Sequence, residues 1–140
     1  MYQRKDYLKY FILQVFLPLI FGLLIYSFRN EVPSRLEFIL IRIESIKLPQ
    51  FILFHLSDAL WAYSLTSLLV IIRVNDTIRY RVISIVTSIL VMFLFEFFQL
   101  INFIPGTFDV LDLFFMFVSV LIYTIINLKL LTKKKQNERL

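Results

Sequence analysis

The sequence predicts an all-α integral membrane protein with four transmembrane helices, one short interfacial amphipathic helix and both termini on the cytoplasmic side. Three observations predict it. Of the 140 residues, 59% are hydrophobic and the mean hydropathy is +0.80, more apolar surface than one soluble core of this size can hide. The apolar residues gather into four runs, each near the ~20 residues that cross a bilayer. Only two glycines and four prolines are present, which argues against disorder and loop-rich folds. The chain reads as one membrane domain, residues 1–140.

The first run is residues 10–28, broken only by Gln14 and Gly22 and kinked by Pro18. Arg4, Lys5 and Lys9 precede it as they would a signal peptide. The run is too long for a signal core, and Ser27-Phe28-Arg29 is no small-residue cleavage site, so a retained helix is expected. The second run, 51–72, carries His55 and Asp58 near its start and Ser64, Thr66 and Ser67 in its middle. Trp61 and Tyr63 are expected there as interfacial anchors and packing groups. The third, 82–101, is interrupted by Glu96 and Gln99; its Phe93, Phe95, Phe97 and Phe98 are expected against lipid or neighbouring helices. The fourth, 110–131, has Asp112 near its start and Asn127 near its end. Backbone groups in hydrocarbon must be bonded within the protein, so each run is a helix.

The first link is long and amphipathic. Leu36, Ile39, Leu40, Ile43 and Ile46 recur at helical spacing opposite Arg35, Arg42 and Lys47, and Ser34-Arg35-Leu36-Glu37 matches a capping box. An interfacial helix over residues 35–47 follows. The second link is a polar turn around Asn75-Asp76. The third places Pro105-Gly106 as a type II turn wants them.

Lysine and arginine set the orientation. Eleven fall in the N-terminal segment, the second link and the C-terminal end, against four in the first link and none in the third. Both termini are therefore expected inside. The net charge of +5 sits beside the apolar runs, which points to membrane lipids as partners and not to nucleic acid. Cysteine is absent, which excludes disulfides, thiol catalysis and zinc–thiolate sites. No Gly-rich phosphate loop, His-Glu-x-x-His or Gly-x-Ser-x-Gly is present. No cofactor is expected.

This topology brings His55, Asp58, Glu96, Gln99, Asp109 and Asp112 to the outer leaflet as three pairs. Each pair is spaced i, i+3 and so shares a helical face. Glu96, five residues before the end of its run, lies roughly 7–8 Å deep at ~1.5 Å per residue. A carboxylate there must face the bundle and find a partner, a metal or a proton. One shared polar pocket, open outward, is the economical arrangement. Each member has a plainer alternative. Asp109 can simply cap the fourth helix, with Asp112 favoured in its first turn. His55 can be an interfacial surface group, and Asp58 can bond nearby backbone. Asp58, Glu96, Asp109 and Asp112 offer the oxygen ligands that hard divalent cations prefer, although the spacing does not require one.

Glu96-Phe97-Phe98-Gln99, followed by Phe108-Asp109-Val110-Leu111-Asp112, resembles the VanZ-like family of small bacterial membrane proteins. That family carries Glu-x-x-Gln at the end of one membrane helix and an Asp-x-x-Asp segment opening the next, in a four-helix layout. The present chain departs from the pattern. Pro105-Gly106-Thr107 stands where the family has a loop arginine. Met116 replaces an asparagine and Ser119 a glycine, while Ala59 and Ala62 follow Asp58 where Lys and His are usual. The resemblance is to a divergent member. It implies the bacterial cytoplasmic membrane and a cell-envelope role linked to antibiotic resistance.

Three functional classes follow. The favoured one is an envelope protein that binds the headgroup of a lipid-linked precursor or amphiphilic ligand at the outer leaflet. The second is a membrane enzyme acting on a headgroup with Glu96, Asp112 and His55 as acid and base. The third is a small ion-coupled transporter or accessory subunit, for which polar residues should continue to the inner side.

Overall fold

The computed structural model describes residues 4–27, 49 and 52–127, with side-chain environments from residue 7 onward. The expected interfacial helix, its capping box and residues 128–131 of the fourth run lie outside the described residues. Within them the chain forms four helices and no strand. Helix α1 comprises Arg4–Phe11, a wide turn Ile12–Phe16 and Leu17–Ser27; α2 comprises Ile52–Leu56 and Ser57–Ile72; α3 is Ile78–Leu100; α4 is Val110–Ile126.

Three spans, Tyr7–Ser27, Ile52–Ile72 and Ile78–Leu100, are long and apolar enough to cross a membrane. Their 21, 21 and 23 residues reach ~32–35 Å at ~1.5 Å per residue, against a hydrocarbon core of ~30 Å. The described part of α4 has 17 residues and is shorter, though equally apolar. Helix α3 starts four residues before the apolar run, at Ile78, because Thr77 is extended (φ −65°, ψ 160°) and the helix opens there. A hydropathy reading misses that first turn because it carries Arg79 and Arg81.

The expected irregularity at Pro18 is present. Proline lacks the N–H that would bond Gln14's carbonyl, and its ring crowds that carbonyl. The helix widens just upstream, where the Leu17 N–H bonds back to Ile12 five residues earlier. The Val15 carbonyl in this wide turn accepts the Ser64 hydroxyl of α2 at 2.8 Å, tying the two helices together.

Helix α2 is central and packs against the other three. Six of its eight buried residues are small or hydroxylated: Ser57, Ala59, Ala62, Ser64, Thr66 and Ser67. Lipid tails are as apolar as leucine, so association rests on close packing and hydrogen bonds between helices, and small residues permit both. The Ser119 hydroxyl of α4 donates to Ala59's carbonyl at 2.6 Å. Thr66 Oγ1 lies 2.9 Å from Ser88 Oγ of α3, whose own hydroxyl turns back to Ile85. At Gly22 of α1 the Trp61 indole lies so close that an added Cβ would sit 2.5 Å from its Cδ1. Tyr63 packs within the bundle, edge-on to the buried Tyr123 ring at 5.4 Å. Phe93, Phe95 and Phe97 face outward as expected, and Phe98 is half-buried against Phe103.

Candidate functional site

The candidate site lies at one end of the bundle, where α2 begins, α3 ends and α4 begins. The start of α2 is fixed by Pro49, whose carbonyl accepts the Ile52 and Leu53 N–H groups at 2.9 and 3.2 Å. That places His55 in the first turn. Helix α3 buries Ser84, Ser88, Met92 and Glu96, each four residues after the last, so Glu96 ends a stripe that faces the bundle. It is 5% exposed.

The loop between α3 and α4 returns the chain over this end. Helix α3 closes with Asn102 at φ 55°, while the N–H groups of Phe103 and Asn102 bond the carbonyls of Phe98 and Gln99. This is the pattern that stops a helix with a left-handed residue, and asparagine is one of the few side chains that accept it. Gly106 takes a positive φ, 141°, but this is far from the ~80° of the expected type II turn, and the segment is a bend. A Cβ there would lie 2.8 Å from Gln99's amide. Gln99 therefore packs beneath the loop and does not join the carboxylates.

Asp109 opens α4. Its side chain accepts the Leu111 N–H at 2.8 Å, the bond of an N-cap. Its own N–H points at Glu96 Oε2, 3.3 Å away. Asp112, one turn into α4 and 7% exposed, meets His55 across the helix interface. His55 Nδ1 and Asp112 Oδ1 are 2.6 Å apart, and their side chains keep only 12% and 10% of their exposure. The His55 ring stacks on Phe115 with centroids 5.5 Å apart. Phe115 lies three residues beyond Asp112, so one face of α4 fixes both the ring plane and its hydrogen bond. Sequence reasoning did not mark Phe115, which the i, i+3 spacing from Asp112 could have suggested.

Four of the six sequence-predicted residues thus converge: His55, Glu96, Asp109 and Asp112. A nitrogen of His55 and one carboxylate oxygen each of Asp109 and Asp112 lie within 4.8 Å of one another. Glu96 stays outside that compact group but within electrostatic reach of both aspartates. Asp58 lies one turn further along α2, half-buried, and is not part of the group.

The opposite half of the bundle is less apolar than the sequence suggested. Gln14 accepts the Tyr63 hydroxyl, Tyr63 abuts Tyr123, and Asn127 donates to Tyr123's carbonyl at 2.9 Å. Gln14 and Asn127 were visible as interruptions in their runs, but only the packing shows them on one side of the bundle.

Comparison of the chain with protein-family models, curated proteins and solved structures gives no match.

Proposed function

We propose that the chain is a divergent VanZ-like envelope protein of the bacterial cytoplasmic membrane, with both termini inside. In this reading His55, Glu96, Asp109 and Asp112 bind the polar headgroup of a lipid-linked or amphiphilic ligand at the outer leaflet. The observation that carries it is the meeting of His55 and Asp112, 57 residues apart, beside a buried Glu96. Ionisable groups are costly inside a membrane protein's apolar zone, and bundle folding alone does not require four of them to converge. A shallow groove lined by Met92, Phe93, Leu113 and Met116 lies about one turn deeper, between α3 and α4. It supplies an apolar surface next to the polar one, as an amphiphile needs.

A second reading, a membrane enzyme acting on the headgroup, is favoured by one feature. A carboxylate held against a histidine orients that ring as a general base. The two readings separate on turnover. An enzyme releases a changed headgroup, and a binding protein returns the same lipid.

The test is Glu96→Leu and Glu96→Gln in the full chain, in cells where deletion has a growth or envelope-stress phenotype. Native mass spectrometry of the purified protein reads the lipid it carries. Both variants should insert and fold, fail to rescue the deletion phenotype and lose the co-purifying ligand. Wild-type activity of Glu96→Leu would overturn the proposal.

A further inference from the structure

We propose that His55, Asp109 and Asp112 hold a divalent transition-metal ion of the zinc or manganese class. The inference concerns the site of the headgroup reading but stands on its own geometry.

The donors are mixed. One imidazole nitrogen and two carboxylate oxygens, all within 4.8 Å, come from α2, the cap of α4 and its first turn. Imidazole suits zinc, copper, iron and nickel, whereas magnesium and calcium take oxygen ligands. A site with one nitrogen and two oxygens therefore suits zinc through its imidazole and manganese through its carboxylates. Three protein ligands leave coordination positions for water or a ligand oxygen.

Glu96 bears on the same question. Glu96 is 5% exposed and beside the group, and among the described residues neither ion pair involves it. It accepts the Asp109 N–H at 3.3 Å. A buried carboxylate is paired, metal-bound or protonated. An ion at the three ligands would answer the Glu96 charge as well as those of the aspartates. Glu96 would act on it through Asp109, whose backbone it holds.

The ligands must adjust slightly. Tetrahedral zinc with bonds of ~2.0–2.2 Å separates its ligand atoms by roughly 3.3–3.6 Å. His55 Nδ1 and Asp112 Oδ1 are 2.6 Å apart. Coordination through this pair replaces their hydrogen bond and opens it by roughly 1 Å. An in-plane shift of the ring would preserve its stacking on Phe115.

The ion also changes what the site can bind. Three carboxylates repel a phosphate or pyrophosphate headgroup. A bound divalent cation inverts the local sign and offers its open positions to phosphate oxygen.

The chain has one histidine and no cysteine, so any imidazole bound to an added ion comes from His55. The experiment uses the full chain without a histidine tag, in nanodiscs of zwitterionic lipid. Zinc and manganese salts are titrated in by equilibrium dialysis with elemental analysis, and magnesium and calcium run in parallel. One zinc or manganese ion per chain is expected, with weaker uptake of the two alkaline-earth ions. His55→Ala and Asp112→Asn should each lower affinity ~100-fold or more, since even outer-shell losses cost 10–100-fold. Asp76→Asn, at the α2–α3 turn, should bind as wild type. Pulsed paramagnetic resonance of the copper-loaded wild-type chain should show imidazole nitrogen coupling, a readout that needs no variant to fold. No saturable site, or binding without imidazole coupling, overturns the proposal. Lipid capture measured with a chelator separates the two claims. Capture without an ion leaves only the headgroup reading standing, and a bound ion without any captured lipid leaves only the metal.

Discussion

Breaking the His55–Asp112 contact tests whether the two helices are joined there by a specific bond or only lie adjacent. The perturbation is a double-mutant cycle: His55→Ala, Asp112→Ala and the double variant. Both side chains are close to 90% buried and the contact is 2.6 Å, so exposure does not discount it heavily. Charge-assisted hydrogen bonds in soluble proteins contribute ~1.5–3 kcal/mol. Polar pairs within membrane bundles average ~0.6 and reach ~1.7, because the unfolded chain in lipid also finds partners. The short distance and the ionisable partners place this pair at the upper membrane value, and a coupling of ~1–2 kcal/mol is expected. The assay is reversible denaturation in mixed micelles, following the helical signal at neutral pH without added metal. Each single variant should lose more than the coupling, since each also strands a buried polar partner. Coupling below ~0.3 kcal/mol, the range of independent sites, would refute the idea that this contact joins α2 to α4.

Three other outcomes are expected. Asp109→Ala should cost ~1 kcal/mol by removing the α4 cap, while Asp109→Asn or Asp109→Ser should cost well under that, read in the same denaturation assay. A complete loss of function with folding intact in Asp109→Asn would show that the charge itself is used. Gly22→Ala should destabilise the bundle by ~1–3 kcal/mol, because its Cβ would press on Trp61 and lie 3.3 Å from Ser57's carbonyl; an unchanged midpoint would mean that Trp61 simply swings outward. Reporter fusions at the C-terminal tail and in the α3–α4 loop should read cytoplasmic and external; an external tail would move the site to the inner face and remove the outer-leaflet argument.

The helices were legible because the bilayer demands long apolar runs, and such runs leave little ambiguity about secondary structure. What hydropathy could not place were the turns that begin helices on polar residues, as at Ile78. The site was legible in its membership more than in its pairing. Helix polarity alone put His55, Glu96, Asp109 and Asp112 at one end. The expected shared pocket put His55 and Asp112 with Glu96, but the structure bonds those two to each other. Glu96 instead takes the N–H of Asp109, because the closing turn at Asn102 and the bend at Gly106 lay that residue across the end of α3. Gln99, on the same face as Glu96 by spacing, is occupied by the loop for the same reason. Such long-range docking depends on loop geometry, which the i, i+3 rule does not contain.

The distribution of hydroxyls bears on the transporter alternative. A transporter should carry polar residues on to the inner side, and hydropathy shows few there: Gln14 in the first run and Asn127 in the fourth. The structure groups these two with Tyr63 in the far half, so scarcity of polar residues there is no argument against a transporter. A stronger one takes its place. Between the two polar ends lie Ala62, Met92, Met116 and Val120, packed as one apolar cluster. The hydroxyls around that layer are largely committed to the backbone: Ser64 to Val15, Ser67 to Tyr63, Ser88 to Ile85 and Ser119 to Ala59. A hydroxyl whose single proton is held by a main-chain carbonyl packs helices well and relays protons poorly. The chemistry of the His55 end is thus insulated from the far half, which suits a site that meets its ligand from one side of the membrane.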